Sequence, residues 1–551
     1  LKIRTYLPHI SSIFCVASME LVVILGAVGF ILRIGFTLSG LLFLWWRKEY
    51  RLDRMAIHLK TKQGENVLFG KTHIALLVAV LLWPLMPEAA IILLSLGMVV
   101  LGFTYLMRIR RWFFPPISPK VLVLGSMSLV GIALVVLIVP IPPIIALAIA
   151  DLLLFPFSTL VVVGMSVPTR IYHWMVIRKA ERKLMHHEPM IVIGITGSYG
   201  KTSVKEYLAT VLSHQYSTLK TEASKNSPIG IAEVILRSLH DRHQAFVVEM
   251  GAYKRGEIAH MAHMVKPEIG ILTAINPQHQ DLFGSMETTM QAKYELMLGL
   301  TGRKIAIVNL DDTRTRLMGE WAAKDGCTVW GWTMQDDTNA TKTIPNMRIF
   351  RAAHIVADMK GITFDCHVGN EKIRVRALVL GVHQVGNILA AIAGAVASGM
   401  KLADACAAVS QVTAAPGVMQ VVPGLNGATF IDDTFNNNPD AARAAFIFLG
   451  QQKGKKIVVF QPMIELGTFA EAAHEEVGKI AATHTDAILL TNNNFFPSFE
   501  RGVRSISKDV PLLVNNPVKT AGYIRTHIHQ GDVVLFKGKD AAHALRILKT
   551  K

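Results

Sequence analysis

Residues Ile193 to Ser203, I-G-I-T-G-S-Y-G-K-T-S, constrain this chain more than any other stretch. An apolar run from Met190 to Ile195 breaks into a glycine-rich loop, and a helix-like pattern follows from Val204. A strand feeding such a loop aims backbone N–H groups at a phosphate, and the next helix N-terminus adds its positive dipole. Lys201 then reaches the outer phosphates, and the Thr202 hydroxyl is placed to hold Mg2+. The strict phosphate-loop spacing fails, because its first glycine would fall at Ile195 and the nearest one is Gly194.

A chain of 551 residues holds several domains. Mean hydropathy of +0.38 is high for a soluble protein, and the excess sits in residues 1–168. Net charge is +17, which taken alone suggests nucleic acid. Many of the cations instead flank apolar segments, which reads as membrane topology with no nucleic-acid partner. Cys15, Cys327, Cys366 and Cys406 are scattered, without metal spacing, and read as reduced thiols.

A transmembrane helix needs about 20 apolar residues. Segment 12–45 reads as one tilted span or two short ones. Segment 73–107 breaks at Pro84 and Pro87, and segment 119–168 at Pro140, Pro142 and Pro143, so each reads as a helical hairpin. The expectation is five spans, with six as the alternative, and repeated segments exclude a signal peptide. Three basic clusters (Arg47 to Lys62, Arg108 to Lys120, Arg170 to Lys183) place their loops on the cytoplasmic side. Residues 169–551 then face the cytoplasm, below a multi-pass domain in the cytoplasmic membrane. Residues 169–189, with Tyr172, Trp174, Met175 and Ile177 among charges, read as an interfacial amphipathic linker, or blandly as a solvated helix. Arg33 and Asp151 lie in apolar surroundings, either as functional charges or as snorkelling ones.

Beyond the loop, strands at 245–249, 269–274 and 304–309 alternate with helices at 203–214, 228–240 and 286–299. That alternation implies a mostly parallel sheet, with ligands at the strands' carboxyl ends. Glu249 closes one strand, His279 follows the next, and Asn309-Leu310-Asp311-Asp312 closes a third. Glu249 is a hard oxygen donor suited to Mg2+. Asp311 or Asp312 reads equally well as a helix N-cap. A second α/β unit follows Pro416-Gly417, with strands at 456–460, 486–490 and 532–536, the last leading into Lys537-Gly538-Lys539-Asp540.

Seven motifs in this order resemble the Mur ligase family, within it the tripeptide–D-alanyl-D-alanine ligase branch, over residues 190–551. Thr196 to Thr202 is similar to T-G-[ST]-x-G-K-[ST], which accounts for the displaced glycine. Glu249-Met250-Gly251-Ala252 with Gly256-Glu257-Ile258 comes next, followed by Asn276-Pro277-Gln278-His279 and then by Phe283-Gly284-Ser285 with Ala292-Lys293. Gly381-Val382-His383 with Asn387, then Asp432 to Pro439, then Glu465-Leu466-Gly467 with His474, continue the pattern. After the membrane helical bundle (1–168) and the linker (169–189) read above, the resemblance implies a phosphate-loop parallel-sheet central domain (190–414) and a Rossmann-like C-terminal α/β domain (415–551).

The resemblance further implies ATP- and Mg2+-dependent amide-bond formation. A carboxylate takes the γ-phosphoryl group, and an amino-acid or peptide amine displaces phosphate from the acyl phosphate. Lys201, Lys293, His279 and Glu249 become the catalytic set. Gly197, Ser198, Tyr199, Gly200, Lys201, Thr202 and Ser203 hold the nucleotide phosphates, Asn309 the adenine and Asp432 the ribose. Thr202 and Glu249 hold one metal, and His279 with carbamylated Lys293 a second. His383, Asn387, Asn436 and Asn438 face substrate, with Asn436 and Asn438 toward the amine.

Three departures qualify this reading. Val418 stands where the family carries an arginine, Phe460-Gln461-Pro462-Met463 replaces L-G-D-M, and apolar segments stand where the uridine-nucleotide domain would be. The expectation is a membrane-anchored ligase acting on a lipid-linked or membrane-proximal cell-envelope precursor. The alternatives are a poly-γ-glutamate-synthase-like polymerising ligase and a degenerate ATP-binding scaffold.

Overall fold

The structure, a computed structural model, describes residues 7–59, 62–107, 114–222, 225–252, 254–276, 285–335, 344, 346–435, 437–464, 466 and 469–549. It divides into two compact units, Leu1–His173 and Trp174–Lys551.

The first unit is helical. Its main helices are Leu7–Arg47, Lys71–Leu82, Pro87–Met107, Pro119–Ile138 and Pro143–Met185, with short helices Leu52–Leu59 and Lys62–Phe69 between the first two. Among the described residues, five helical stretches are long and apolar enough to cross a membrane. The breaks fall at the prolines: one hairpin turns between Leu82 and Pro87, the other between Ile138 and Pro143. Segment 12–45 forms one continuous helix. Leu81, Leu93, Phe103 and Leu137 stay exposed on these helices while Phe30, Leu94, Met98 and Ile145 form a core.

Glycines set the closest helix contact. A Cβ on Gly29 would fall 2.0 Å from the Met98 carbonyl oxygen, and one on Gly102 would fall 2.6 Å from Gly29 Cα. Backbones therefore touch, as small residues permit in apolar helix pairs. Gly29→Val should separate these helices and lower the melting temperature of the first unit in detergent, read by circular dichroism. An unchanged melting curve would refute that contact. Arg33 and Asp151, the two isolated charges, pair with each other: Arg33 Nε donates to Asp151 Oδ2 at 2.9 Å, and Nη1 donates to the Tyr105 hydroxyl at 3.0 Å. Both are buried, so mutual compensation keeps them there.

In the second unit the strands are β1 (Ile191–Thr196), β2 (Thr218–Lys220), β3 (Ala245–Glu249), β4 (Ile269–Leu272), β5 (Ile305–Asn309), β6 (Thr328–Thr333), β7 (Arg348–Asp358), β8 (Gly361–Val368) and β9 (Glu371–Ala377). They make one sheet in the order β2-β3-β1-β4-β5-β6-β7-β8-β9. Strands up to β7 pair in parallel, and β1, β3, β4 and β5 read as near-continuous apolar runs, as strands covered on both faces do. The pairs β7–β8 and β8–β9 are antiparallel, an extension that the apolar-run reading did not anticipate. These strands alternate instead: Ile362, Phe364 and Cys366 enter the core, while Thr363, Asp365 and His367 alternate with them.

The remaining strands, β10 (Gln420–Pro423), β11 (Thr429–Asp433), β12 (Lys456–Phe460), β13 (Ala487–Leu490), β14 (Leu512–Val514) and β15 (Val533–Lys537), form a second sheet, β10-β11-β15-β12-β13-β14. It is parallel apart from β10. Sequence punctuation explains several helix starts. Ser227, Asn438 and Asn516 accept first-turn N–H bonds, and each precedes a proline at the first helical position.

The helix Pro143–Met185 continues through residue 168, where the sequence suggests a change from apolar segment to linker. Ile177 and Ala180 bury against Val192, Leu219 and Phe246, and Lys183 Nζ donates to the Ile235 and Leu236 carbonyls. Part of the expected interfacial face is thus core, while Tyr172, Trp174 and Met175 remain exposed.

Candidate nucleotide site

Central strand β1 delivers the loop at the sheet's carboxyl edge. Gly197 and Gly200 have φ of 148° and 83°, the left-handed region in which glycine alone is comfortable. A Cβ on Gly197 would also fall 2.0 Å from Thr273 Oγ1. The helix Lys201–Leu212 starts at Gly200, which has no side chain to cap it, so the first turn can receive an anion. Ser198 N–H donates to the Ala274 carbonyl, and Ser198 Oγ accepts from Asn276 N–H. Gly194 is explained by packing: a Cβ there would fall 2.6 Å from Leu296 Cδ1.

Below the loop lies a hub of charge. Lys201 Nζ donates to the carbonyls of Gly197 (2.7 Å) and Ser198 (3.1 Å). Thr202 Oγ1 donates to Glu249 Oε2 at 3.0 Å, and Asn226 Nδ2 donates to Oε1 at 3.1 Å. Lys205 Nζ, fully buried, lies 3.3 Å from Glu249 Oε2 and 3.3 Å from Glu206 Oε1. Burial would raise the Glu249 carboxyl, but Lys201, Lys205 and the bonds from Asn226 and Thr202 outweigh it and hold it below its ordinary value. Lys293, buried in the helix Met286–Leu298, is pushed down to about 7 by burial and then by Lys201, against Glu257 and Glu295.

Above the loop is a cavity of about 220 Å3. Ser198 to Ser203 line one side, and His383, Gln384, Asn387, Val418, Asp433, Asn438, Asp440 and Lys537 are among the rest. Asn387 Nδ2 donates to Gln384 Oε1 at 2.8 Å, and its Oδ1 lies 2.7 Å from where a Cβ on Gly200 would be. Burial pushes His383 down to about 4, with Asp433 opposing and Lys537 adding, so it is neutral at pH 7. Lys537 Nζ donates to Asp433 Oδ2 at 2.7 Å, both buried. Asn276 Nδ2 donates to Asp440 Oδ2 at 3.0 Å, joining the ends of the two sheets. Burial and Asp440, Asp312 and Asp311 raise the Tyr199 hydroxyl.

Most residues singled out in the sequence converge here. His279 and Asn436 lie outside the described residues, as do Pro277, Gln278, Phe283, Gly284, Glu465 and Gly467. Asn438 lines the cavity, but its Oδ1 accepts from Ala441 N–H at 2.9 Å, so that oxygen is committed to the helix start. Asp432 Oδ1 accepts from Thr434, while its neighbour Asp433 lines the cavity, because consecutive strand residues face opposite ways. Asn309 Oδ1 accepts from Asp311 N–H at β5's carboxyl end. Asp312 is an N-cap, and Asp311 accepts from Thr333 and Met334. Sequence reasoning passed over Lys205, Asn226, Gln384, Asp433, Asp440 and Lys537. Two carried a signal: Asp433 stands inside the Asp432 to Pro439 motif, and Lys537 is a cation ending an apolar strand.

This fold and loop define a phosphate-loop α/β protein with two joined sheets. Residues 195–395 match the Mur ligase middle domain, and residues 419–540 match the Mur ligase glutamate ligase domain. Together these cover more than half of the chain, which belongs to the Mur ligase family. The UDP-N-acetylmuramoyl-tripeptide–D-alanyl-D-alanine ligase of Escherichia coli K12 is 31% identical over 303 residues, 55% of this chain and 64% of the relative. The Haemophilus influenzae ligase of the same name is 32% identical, over 52% of this chain and 60% of that protein. The chain thus spans just under two thirds of these relatives' length. The crystal structure of MurF from Acinetobacter baumannii superposes with a TM-score of 0.61 at 27% identity, over 69% of this chain and 81% of that one.

Proposed function

We propose that this chain is an ATP-dependent, ADP-forming ligase that joins a carboxylate to an amino-acid or peptide amine. The observation that carries the proposal is the convergence of Lys201, Thr202, Glu249 and Lys293 under a glycine loop in a Mur ligase fold. Thr202 Oγ1 and Glu249 Oε2, 3.0 Å apart, are two hard oxygen donors that fit Mg2+. The metal would neutralise charge on the transferring phosphoryl group. Lys201 would swing from the loop carbonyls to the γ-phosphate, where charge builds in the transition state. The first-turn amides would hold the remaining phosphate oxygens, with Asn309 toward adenine and Asp432 toward ribose. His279 and carbamylated Lys293 would serve the second metal.

The substrates follow from the relatives' name: D-alanyl-D-alanine or a similar dipeptide as the amine, and a peptide carboxylate of a cell-envelope precursor as its partner. His383 and Asn387 would border the carboxylate, and Asn436 and Asn438 the amine. The five apolar stretches support anchoring in the cytoplasmic membrane with the ligase domains in the cytoplasm. Anchoring supports a lipid-linked partner, since tethering raises its effective concentration. Val418 adds no charge to the cavity, which favours a second reading, nucleotide binding without turnover.

Purified full chain in detergent, given ATP, Mg2+, D-alanyl-D-alanine and a tripeptide precursor in soluble or lipid-linked form, should release phosphate only when both co-substrates are present. Faster release with the lipid-linked form supports the membrane assignment. Tight ATP binding with no phosphate released in any combination would leave the scaffold reading standing.

A further inference from the structure

We propose that Lys205 keeps divalent metal out of the empty site, so that metal enters together with the nucleotide. The inference rests on the reading of Thr202 and Glu249 as metal donors. Under the loop, two lysines, Lys201 and Lys205, act on the buried carboxylate Glu249. Lys205 is buried completely, at 0% exposure. Its Nζ makes two ion pairs, both at 3.3 Å, and no hydrogen bond of good geometry. Glu206, its other partner, is shared with Lys220 at the surface. The ammonium therefore sits against the very oxygen that Thr202 shares with Glu249.

A dication arriving alone would meet this ammonium across a few ångströms of low-dielectric interior, with Glu249 and a Glu206 already shared with Lys220 to compensate. A nucleotide changes the balance, because its phosphates bring several negative charges to the same point. Lys205 also holds Glu249 in place from the buried side, while Asn226 holds the other oxygen. It is a positioning residue: nothing in its location lets it touch substrate.

The experiment titrates Mn2+ by electron paramagnetic resonance into the purified full chain in detergent, with and without a non-hydrolysable ATP analogue. A Glu249→Gln variant identifies the signal that belongs to this site. Wild type should show no Glu249-dependent Mn2+ without nucleotide and clear occupancy with it. Lys205→Met should acquire Glu249-dependent Mn2+ without nucleotide, tighter by about tenfold or more. Lys205→Arg, which keeps the charge, should behave as wild type. A purely structural lysine would not produce that gain. Glu249-dependent Mn2+ in nucleotide-free wild type, as tight as with the analogue, overturns the proposal even where Lys205→Met does not fold. So does a folded Lys205→Met that gains nothing. Failure of the ligase assignment would look different: metal and nucleotide would bind as described, and no phosphate would be released.

Discussion

Lys201→Ala should lower ATP-dependent phosphate release by about three orders of magnitude, with most of the loss in kcat. The reason is the lack of a substitute. Among the described residues lining the cavity, the other lysine is Lys537, and its ammonium is held by Asp433 at 2.7 Å on the opposite sheet. Lys205 is buried behind Glu249. Lys201 hydrogen-bonds to carbonyls of its own loop, and Lys205 stays beside Glu249 when Lys201 is removed, so its removal costs the fold little. A coupled ADP assay beside a thermal melt measures both. Activity within about tenfold of wild type would remove Lys201 from the transition state.

Lys293→Met should be comparably damaging, by about two to three orders of magnitude, and it should change the pH dependence of stability as well. With a folded value of about 7 against an ordinary 10.5, Lys293 is partly neutral near pH 7. A neutral buried amine is the form that reacts with carbon dioxide, so activity should rise with added bicarbonate in wild type and not in the variant. The sign for stability follows from proton counting. Between about 7 and 10.5 the unfolded chain binds more protons than the folded one, so wild-type stability contributed by this group rises with pH across that window. In bicarbonate-free buffer Lys293→Met should therefore be the more stable protein at pH 7, and its advantage should shrink toward pH 10. Denaturant melts at three pH values test this. A difference that grows with pH would contradict the buried, neutralised lysine.

The parallel half of the fold was legible because its strands are apolar on both faces: I-V-I-G-I-T and I-A-I-V-N announce themselves as runs. Strands β7 to β9 were not, since Arg351, Asp365, His367 and Arg374 interrupt every run with a charge or imidazole. The helices of the first unit were legible from length and from prolines. That Arg33 meets Asp151 was not, because 118 residues separate them.

In the site, local residues were readable and distant ones were not. Gly197 to Thr202 and Glu249 stand in motifs whose spacing encodes their chemistry. Lys205 stands in no motif, and only the fold, by bringing β3 and Glu249 beside it, shows its place. Asp433 and Asp432 are indistinguishable in sequence, and only strand direction separates the one that lines the cavity from the one that braces Thr434.

Gly194 carries a last consequence. Its small size is imposed by a leucine about a hundred positions away: the Leu296 methyl fills the space a side chain would take. Tolerance at the two positions is therefore conditional, a case of epistasis between contacting sites. A shorter residue at 296 releases the strand to accept alanine, and a bulky one forbids it. Gly197 has no such freedom, because its constraint lies in its own backbone angle. Two glycines three residues apart thus follow different evolutionary rules, one negotiable with a neighbour and the other fixed.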